Sequence, residues 1–334
     1  QSGSTLDCSR RDETHKVKWF GRVRIACTDI LPVYRPWTYG DCWHNELVCL
    51  RTRVLHDVPQ PTPAGIRDLR RMAKRFSSLL PAVFQWTEQQ VLDHMTSKQR
   101  PAYERARDQL FRTGMLQQYA RINMFVKADL LQFIKDPRAI QFRMREFGLR
   151  LGTYIKAIEA ALYKVRGRKC GYFPRTRFIA KGLNCRSRAR LLRRKWDSFS
   201  SPCVIVIDAK RFDAHVSKSL LQVEHSVYLR AYANKPELQR LLAWQLINRG
   251  RTTKGLKYKV IGRRMSGDMN TALGNVVLMC VMVATFFASQ FPNMRYDMLD
   301  DGDDCVIMVE KRDADAVTSR LTPVFLTYGM ELTV

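Results

Sequence analysis

The sequence predicts an α+β fold, and three observations carry that expectation. A β-branched run, VIVI at 204–207, is bounded by Pro202 and Asp208, as in a short buried strand. The stretch 296–309 reads as two apolar arms around a tight acidic turn. Several segments before and between these runs carry apolar residues at helical spacing. A chain of 334 residues suffices for one large multi-subdomain body or two domains with real cores.

Residues 1–60 mix aromatic, proline and charged residues without a clear period, and VPQPTPAG at 58–65 reads as a linker or bend. A helix is expected over 66–80, stopped by Pro81, with further helices over 87–94 and 102–123. KDPRAIQFR at 135–143 alternates like a strand, and 148–164 is helical in pattern. The strand over 201–208 leads to a helix that Ser217 would cap and that runs to about 232. A helix over 236–248, a hairpin over 250–265 and a long helix over 268–289 come next. The arms 296–299 and 305–309 follow, with Asp301-Gly302 as a two-residue turn, then a last helix and strand.

The charge balance is unusual. Lys plus Arg number 57 against 31 for Asp plus Glu, a formal net charge of +26. Such an excess points to a polyanionic partner, nucleic acid before an anionic membrane surface. The nine cysteines are odd in number and scattered, which suits free thiols in a reducing compartment. Cys42, His44 and Cys49 lie near one another, but a zinc site there lacks a clear fourth ligand. The apolar stretch 272–288 is at the short limit for a membrane span and contains Gly274 and Asn275, so a buried core helix is expected. The chain starts with Gln, as a piece of a longer product would.

The densest basic block is 164–195. Arg166, Arg168, Lys169, Arg175, Arg177, Lys181 and Arg188 are its candidate RNA-binding cations, with Tyr172, Phe173 and Phe178 interleaved. Cations neutralise phosphates and aromatic faces stack on bases. The alternative is a solvated helix face over 188–195.

DMLDDGDDCVIM at 297–308 concentrates five aspartates within eight residues of a basic protein. Turn chemistry explains one or two of them. A divalent cation would relieve the repulsion of the rest, and hard oxygen donors select Mg²⁺ or Mn²⁺. Asp208 ends a strand with Asp213 five residues on. Asp208 and Asp303, on neighbouring strands, would hold two such ions about 3.5–4 Å apart. In MSGDMNTALGN at 265–275, Asp268, Thr271 and Asn275 recur on one helix face.

Together these segments resemble the motifs of RNA-dependent RNA polymerases of positive-strand RNA viruses, in particular the tombusvirus-like group. DAKRFD resembles motif A, SGDMNTALGN motif B, DGDD motif C and FLTYGMELTV at 325–334 motif D. FVKAD at 125–129 and KDPRAIQFR resemble the basic motif F, AKGLN at 180–184 and LRRKWDSF at 192–199 have counterparts in that group, and the motif order is the family's. The likeness runs from about residue 110 to the end.

The resemblance implies a right-hand polymerase: fingers plus an RRM-like palm, an antiparallel sheet backed by helices. Residues 1–196 would be an N-terminal segment and fingers, with motif F at about 125–145. Residues 197–334 would be the palm, with a fingers insertion at about 236–262. The chain ends just after motif D, so the thumb is expected to be absent and the chain alone to be inactive. Asp208, Asp303 and Asp304 would be catalytic metal ligands for two Mg²⁺ or Mn²⁺ ions. Asp213 and Asn275 would read the ribose 2′-OH, with Ser266, Gly267 and Thr271 beside them. Lys127, Arg138 and Arg143 would hold the triphosphate. The family's Lys near the position of Thr333 is missing, and no general acid is assigned. RNA template, product strand and NTPs would be the partners, with other viral replication proteins and host membranes reached through missing regions. The implied setting is a membrane-associated replication complex in the host cytoplasm. Two other readings are a reverse transcriptase-like palm polymerase and a non-catalytic RNA-binding replication module.

Overall fold

The computed structural model describes residues 4–7, 17–19, 37–131, 135–167 and 171–333, with backbone only at 17–19. The first strands are β1 (Thr5–Asp7), β2 (Val17–Trp19) and β3 (Trp37–Tyr39), followed by α1 (Trp43–Cys49) and a π-helical turn over Leu50–Val54. Helices α2 (Pro63–Ser77), α3 (Glu88–Asp93) and α4 (Arg100–Thr113) come next. Their starts are written in the sequence: Thr62 caps α2 by accepting from Gly65 N, with Pro63 in its first turn, and Thr87 and Gln90 form a reciprocal capping box on α3.

The expected helix over 102–123 stops early. Gly114, at φ +66°, ends α4, a 3₁₀ turn covers Gln117–Ala120, and INMFV forms strand β4 (Ile122–Val126). The burial of β4 alternates along its length, and this period of two overrides the helical signal. Strand β5 (Ala139–Arg143), α5 (Arg145–Leu162), α6 (Cys185–Trp196) and β6 (Pro202–Ala209) follow. Then come the short α7 (Phe212–His215), α8 (Lys218–Ala231), which Ser217 caps through Leu220 N, and α9 (Pro236–Ala243). The helix expected to reach 248 ends at Ala243, and Ile247 opens β7 (Ile247–Thr252), which turns into β8 (Lys257–Ile261). The chain closes with α10 (Thr271–Gln290), β9 (Asp297–Asp300), β10 (Asp304–Glu310), α11 (Ala314–Thr327) and β11 (Leu332–Thr333).

Two sheets organise these elements. A five-stranded sheet runs β1-β8-β7-β4-β5, parallel only between β4 and β7. A four-stranded antiparallel sheet runs β11-β6-β10-β9. Strand β6 is buried on one face only: Ile205 and Ile207 enter the core, while Val204 and Val206 stay exposed on the other side. This corrects the expectation of a fully buried strand, and it puts Asp208 on the open face with the two valines.

The buried face packs on α2, α5, α8, α10 and α11. Leu69, Met72 and Phe76 of α2 share this core with Leu221 of α8 and Val281 of α10, so the core draws on both sides of residue 196. The 58–65 bend is docked: Thr62 N donates to Thr327 O, and a Cβ on Gly65 would stand 2.4 Å from that carbonyl oxygen. Among the described residues α10 is the one helix long and apolar enough to cross a membrane, and it lies inside the protein, as the interrupted apolar run led one to expect. A second, smaller core under the five-stranded sheet contains Cys49, Ile122, Met124, Tyr258 and Val260.

A polar network threads the main core. The buried Arg264 guanidinium pairs with the buried Glu224 carboxylate, which also accepts from Tyr228 and from Asn270 Nδ2. Gly274 makes room for it, since a Cβ there would lie 2.4 Å from Glu224 Oε1 and 2.5 Å from Arg264 Nη2.

Removing one partner of such a pair strands the other charge. Glu224→Ala is therefore expected to cost about 3–5 kcal/mol, read as a lowered urea midpoint. His225 is buried, and burial holds its imidazole down to about 4, against an unfolded value near 6.5. The unfolded state thus binds the extra proton first. This contribution to stability is complete above about pH 6.5 and fades as pH falls toward 4. Between pH 7.5 and pH 5 wild type should lose about 2 kcal/mol relative to His225→Leu, measured by urea unfolding of both at each pH.

Candidate active site

The β6–β10 register sets Asp304 directly opposite Asp208, and Val306 opposite Val206, all on the open face. The hairpin between β9 and β10 closes through Asp301 N donating to Asp304 O at 2.8 Å. Its central residues are therefore Gly302 and Asp303, one position later than the Asp301-Gly302 turn expected. Gly302 stands at φ +109°, where a side chain would be strained, and the turn leaves Asp303 at its tip.

The five aspartates divide by neighbour. Asp297 is buried and pairs with the fully buried Lys195, while Thr176 Oγ1 donates to it at 2.8 Å. Asp300 is wholly buried; burial drives its carboxyl well above the usual range, and it accepts from Gly302 N at 3.2 Å. Asp301 lies between Lys181 Nζ at 3.0 Å and Arg188 Nη1 at 2.6 Å. Protein groups thus satisfy three of the acids for which the sequence suggested a cation. Asp303 and Asp304 remain exposed, together with Asp208, and among the described residues none of the three has a salt bridge. Partial burial, then the charges of Asp303 and Asp208, push the Asp304 carboxyl upward.

Asp208 and Asp303 line one cavity of about 800 Å³. Asp213 lies in the same cavity, behind Asp208 in the chain, and burial raises its carboxyl to about 6. Asn275 Nδ2 donates to Asp213 Oδ1 at 3.3 Å, and Asn275 Oδ1 accepts from Arg264 Nε at 3.0 Å. The core network therefore orients the Asp213–Asn275 pair. Asn275 also adjoins the acidic turn, 3.5 Å from where a Cβ on Gly302 would sit.

The opposite wall is cationic. Lys127 and Arg138 flank the β4–β5 connection and converge on Asp129, at 2.9 and 2.6 Å. Lys135, Arg53, Arg211 and Arg263 also line it, and the motif reading assigned none of these a role. Arg211 was in plain view between the two motif aspartates. It occupies the left-handed region, φ 46°, and approaches Asp136 across the cavity at 3.5 Å. Nothing local in the sequence signals Arg53.

Several expected roles change. Arg143 is buried and fully committed, to Asp268 at 2.9 Å, Ala120 O at 2.6 Å and Asn248 Oδ1 at 2.6 Å, so it braces the fold and does not line the cavity. Asp268 precedes α10, so it does not share a helix face with Thr271 and Asn275. The Thr271 hydroxyl donates to Met265 O. Gly267 packs against β5, its N–H donating to Gln141 O at 2.7 Å, where a Cβ would stand 2.8 Å from that oxygen. Ser266 accepts from Gln141 N at 3.2 Å and lines the cavity.

The basic block also divides. Arg166 and Arg175 are exposed, whereas Arg168 and Lys169 lie outside the described residues. Arg177 donates to Ile179 O and Lys181 O within its own loop, and Lys181 and Arg188 serve Asp301. Phe173 and Phe178 stack on each other inside the core, at 5.8 Å between centroids, so they present no face to a base. Tyr172 is half-exposed, with the Arg75 guanidinium over its ring.

Among the described residues no group of three or more His, Cys, Asp or Glu side chains is placed to hold a metal ion. Cys42 and Cys49 are buried free thiols, with burial pushing Cys49 up to about 12, against a zinc thiolate at that place. The open carboxylate set still fits Mg²⁺, which commonly takes one or two carboxylates and completes its shell with water and substrate phosphate.

The family of viral RNA-dependent RNA polymerases matches residues 46–334. The RNA-directed RNA polymerase of tobacco necrosis virus (strain A) is 34% identical over 287 residues, covering 84% of this chain and 39% of that protein. That of melon necrotic spot virus is 35% identical, covering 83% and 35%, and that of tomato bushy stunt virus (strain Cherry) is 33% identical, covering 85% and 35%. The chain thus spans well under half the length of these relatives. With the family matched across 46–334 and its acidic turn, paired strand aspartate and basic wall meeting at one cavity, the chain belongs to the viral RNA-dependent RNA polymerases.

Proposed function

We propose that the chain provides the palm and fingers of an enzyme that copies a viral RNA genome in the host cytoplasm. One observation carries the reading: Asp208, Asp213 and Asp303 line a single cavity together with Lys127, Arg138 and Arg211, and Asn275 donates to Asp213. The four-stranded sheet with its helices is the palm, and the five-stranded sheet belongs to the fingers. Segment 236–262 returns to the fingers, as the pairing of β7 with β4 supports. The substrates are an NTP and an RNA 3′ end on a template. The 3′ oxygen forms a bond to the α-phosphorus, the bond from that phosphorus to the bridging oxygen breaks, and pyrophosphate leaves.

Asp208, Asp303 and Asp304 would hold two Mg²⁺ or Mn²⁺ ions, which when bound activate the attacking oxygen and stabilise the leaving one. The chain's own residues position the rest. Lys127 and Arg138 receive the triphosphate, which must compete with Asp129 for both cations. Asp213 and Asn275 hydrogen-bond the ribose 2′-OH. A deoxyribose would leave these polar groups without that partner, so the site favours ribonucleotides. Exposed Arg166 and Arg175 are left to contact RNA phosphates.

Asp303 is exposed at a turn tip, so Asp303→Asn should fold normally. RNA primer extension in Mg²⁺ by the polymerase carrying this chain is expected to fall by about 100-fold or more, and activity near wild type would sink the proposal. Asn275→Ala should lower the ratio of kcat/KM for ATP over dATP by at least about tenfold. A wild-type enzyme that prefers dATP would instead favour reverse transcription.

A further inference from the structure

Residues 37–41 lie ahead of the span matched by the family, and none of the motifs includes them. They nevertheless touch the basic loop between β4 and β5 at two points, and the end of β4 at a third. Trp37 and Leu131 exchange backbone hydrogen bonds, Trp37 N to Leu131 O at 3.3 Å and Leu131 N to Trp37 O at 2.8 Å. The Tyr39 hydroxyl donates to Lys135 O at 2.9 Å. Asp41 Oδ1 accepts from Val126 N at 3.2 Å, just before Lys127. Edge-to-face packing of Trp37 on Tyr39 stiffens the segment, with ring centroids 4.9 Å apart.

The segment is itself anchored. Asn45 Nδ2 donates to Gly40 O at 2.8 Å, fixing it to α1. Buried Glu46 of α1 accepts from Lys254 N at 3.0 Å, fixing α1 to the turn between β7 and β8. A rigid support thus reaches the loop on both flanks of residues 132–134, at Leu131 and at Lys135. All of these contacts to the loop engage its backbone or an amide, so Lys127 and Arg138 keep their side chains directed to the cavity.

We propose that Trp37, Tyr39 and Asp41 form a strap that positions the phosphate-binding loop over the cavity. They are positioning residues: they act through Lys127 and Arg138, and set how much of the loop's ordering is already complete before a nucleotide arrives. The inference rests on reading the cavity as a nucleoside-triphosphate site.

Tyr39→Phe removes one hydroxyl and leaves the ring in place. Asp41→Ala removes a different contact, on the last residue of β4 where the loop begins. Each should raise the KM for GTP about three- to tenfold, the worth of one hydrogen bond, with kcat within about twofold. In the nucleotide-free protein, amide hydrogen exchange of the peptide spanning 127–138 should quicken in both variants, while that of α10 should not change. Unchanged exchange of that peptide in both variants overturns the strap. The exchange measurement needs no turnover, so it decides the strap even if wild type fails to bind GTP, a failure that would count against the polymerase reading alone.

Discussion

The pairing of β6 with β10 is the constraint on which the site depends. Its register alone brings Asp208, from the middle of the chain, across from Asp304, nearly a hundred residues later. A slip of one residue would turn Asp208, with Val204 and Val206, to the core face and carry Ile205 and Ile207 out to the open one, and an ionised carboxylate cannot be solvated in that core. The apolar face therefore enforces the acidic one. Ile205 and Ile207, held inward on β6, keep Asp208 outward at its end.

Gathering carboxylates needs compensation, and the protein supplies most of it from its own side chains. Lys195 takes Asp297, Lys181 and Arg188 take Asp301, and burial drives the Asp300 carboxyl well above its usual range. Among the described residues what remains uncompensated is confined to Asp208, Asp303 and Asp304, the first two of which line the cavity. The same economy appears on the cationic wall, where Asp129 and Asp136 hold Lys127, Arg138 and Arg211 close to the cavity.

Much of this was legible in the sequence. The α+β class, Ser217 as a cap and the acidic hairpin followed from local pattern, whereas the expectation that Asp208 and Asp303 lie at one site drew on the motif resemblance. The errors have physical causes. Helical periodicity ran on past Gly114 and Ala243, because apolar spacing in INMFV and around Ile247 does not show that the chain has begun to pair with a distant strand. Arg143 carries the same side chain as Arg138, and only burial separates a brace from a surface cation. Phe173 and Phe178 sit amid charges yet point inward, since polar neighbours in the chain do not fix which way a loop residue faces. Arg53 and the Trp37–Asp41 segment matter only through contacts with residues some ninety positions away, and no local pattern reports those.

Helix α2 has a consequence for dissecting the molecule. It comes from the first quarter of the chain, yet Leu69, Met72 and Phe76 fill the space beside α8 and α10. Excising everything upstream of the catalytic strands would leave an oily trench along the remaining helices and an aggregation-prone stump. The minimal autonomous unit must therefore begin no later than Thr62, and recombination that swaps only the downstream half between relatives must also match the volume and shape of this borrowed helix.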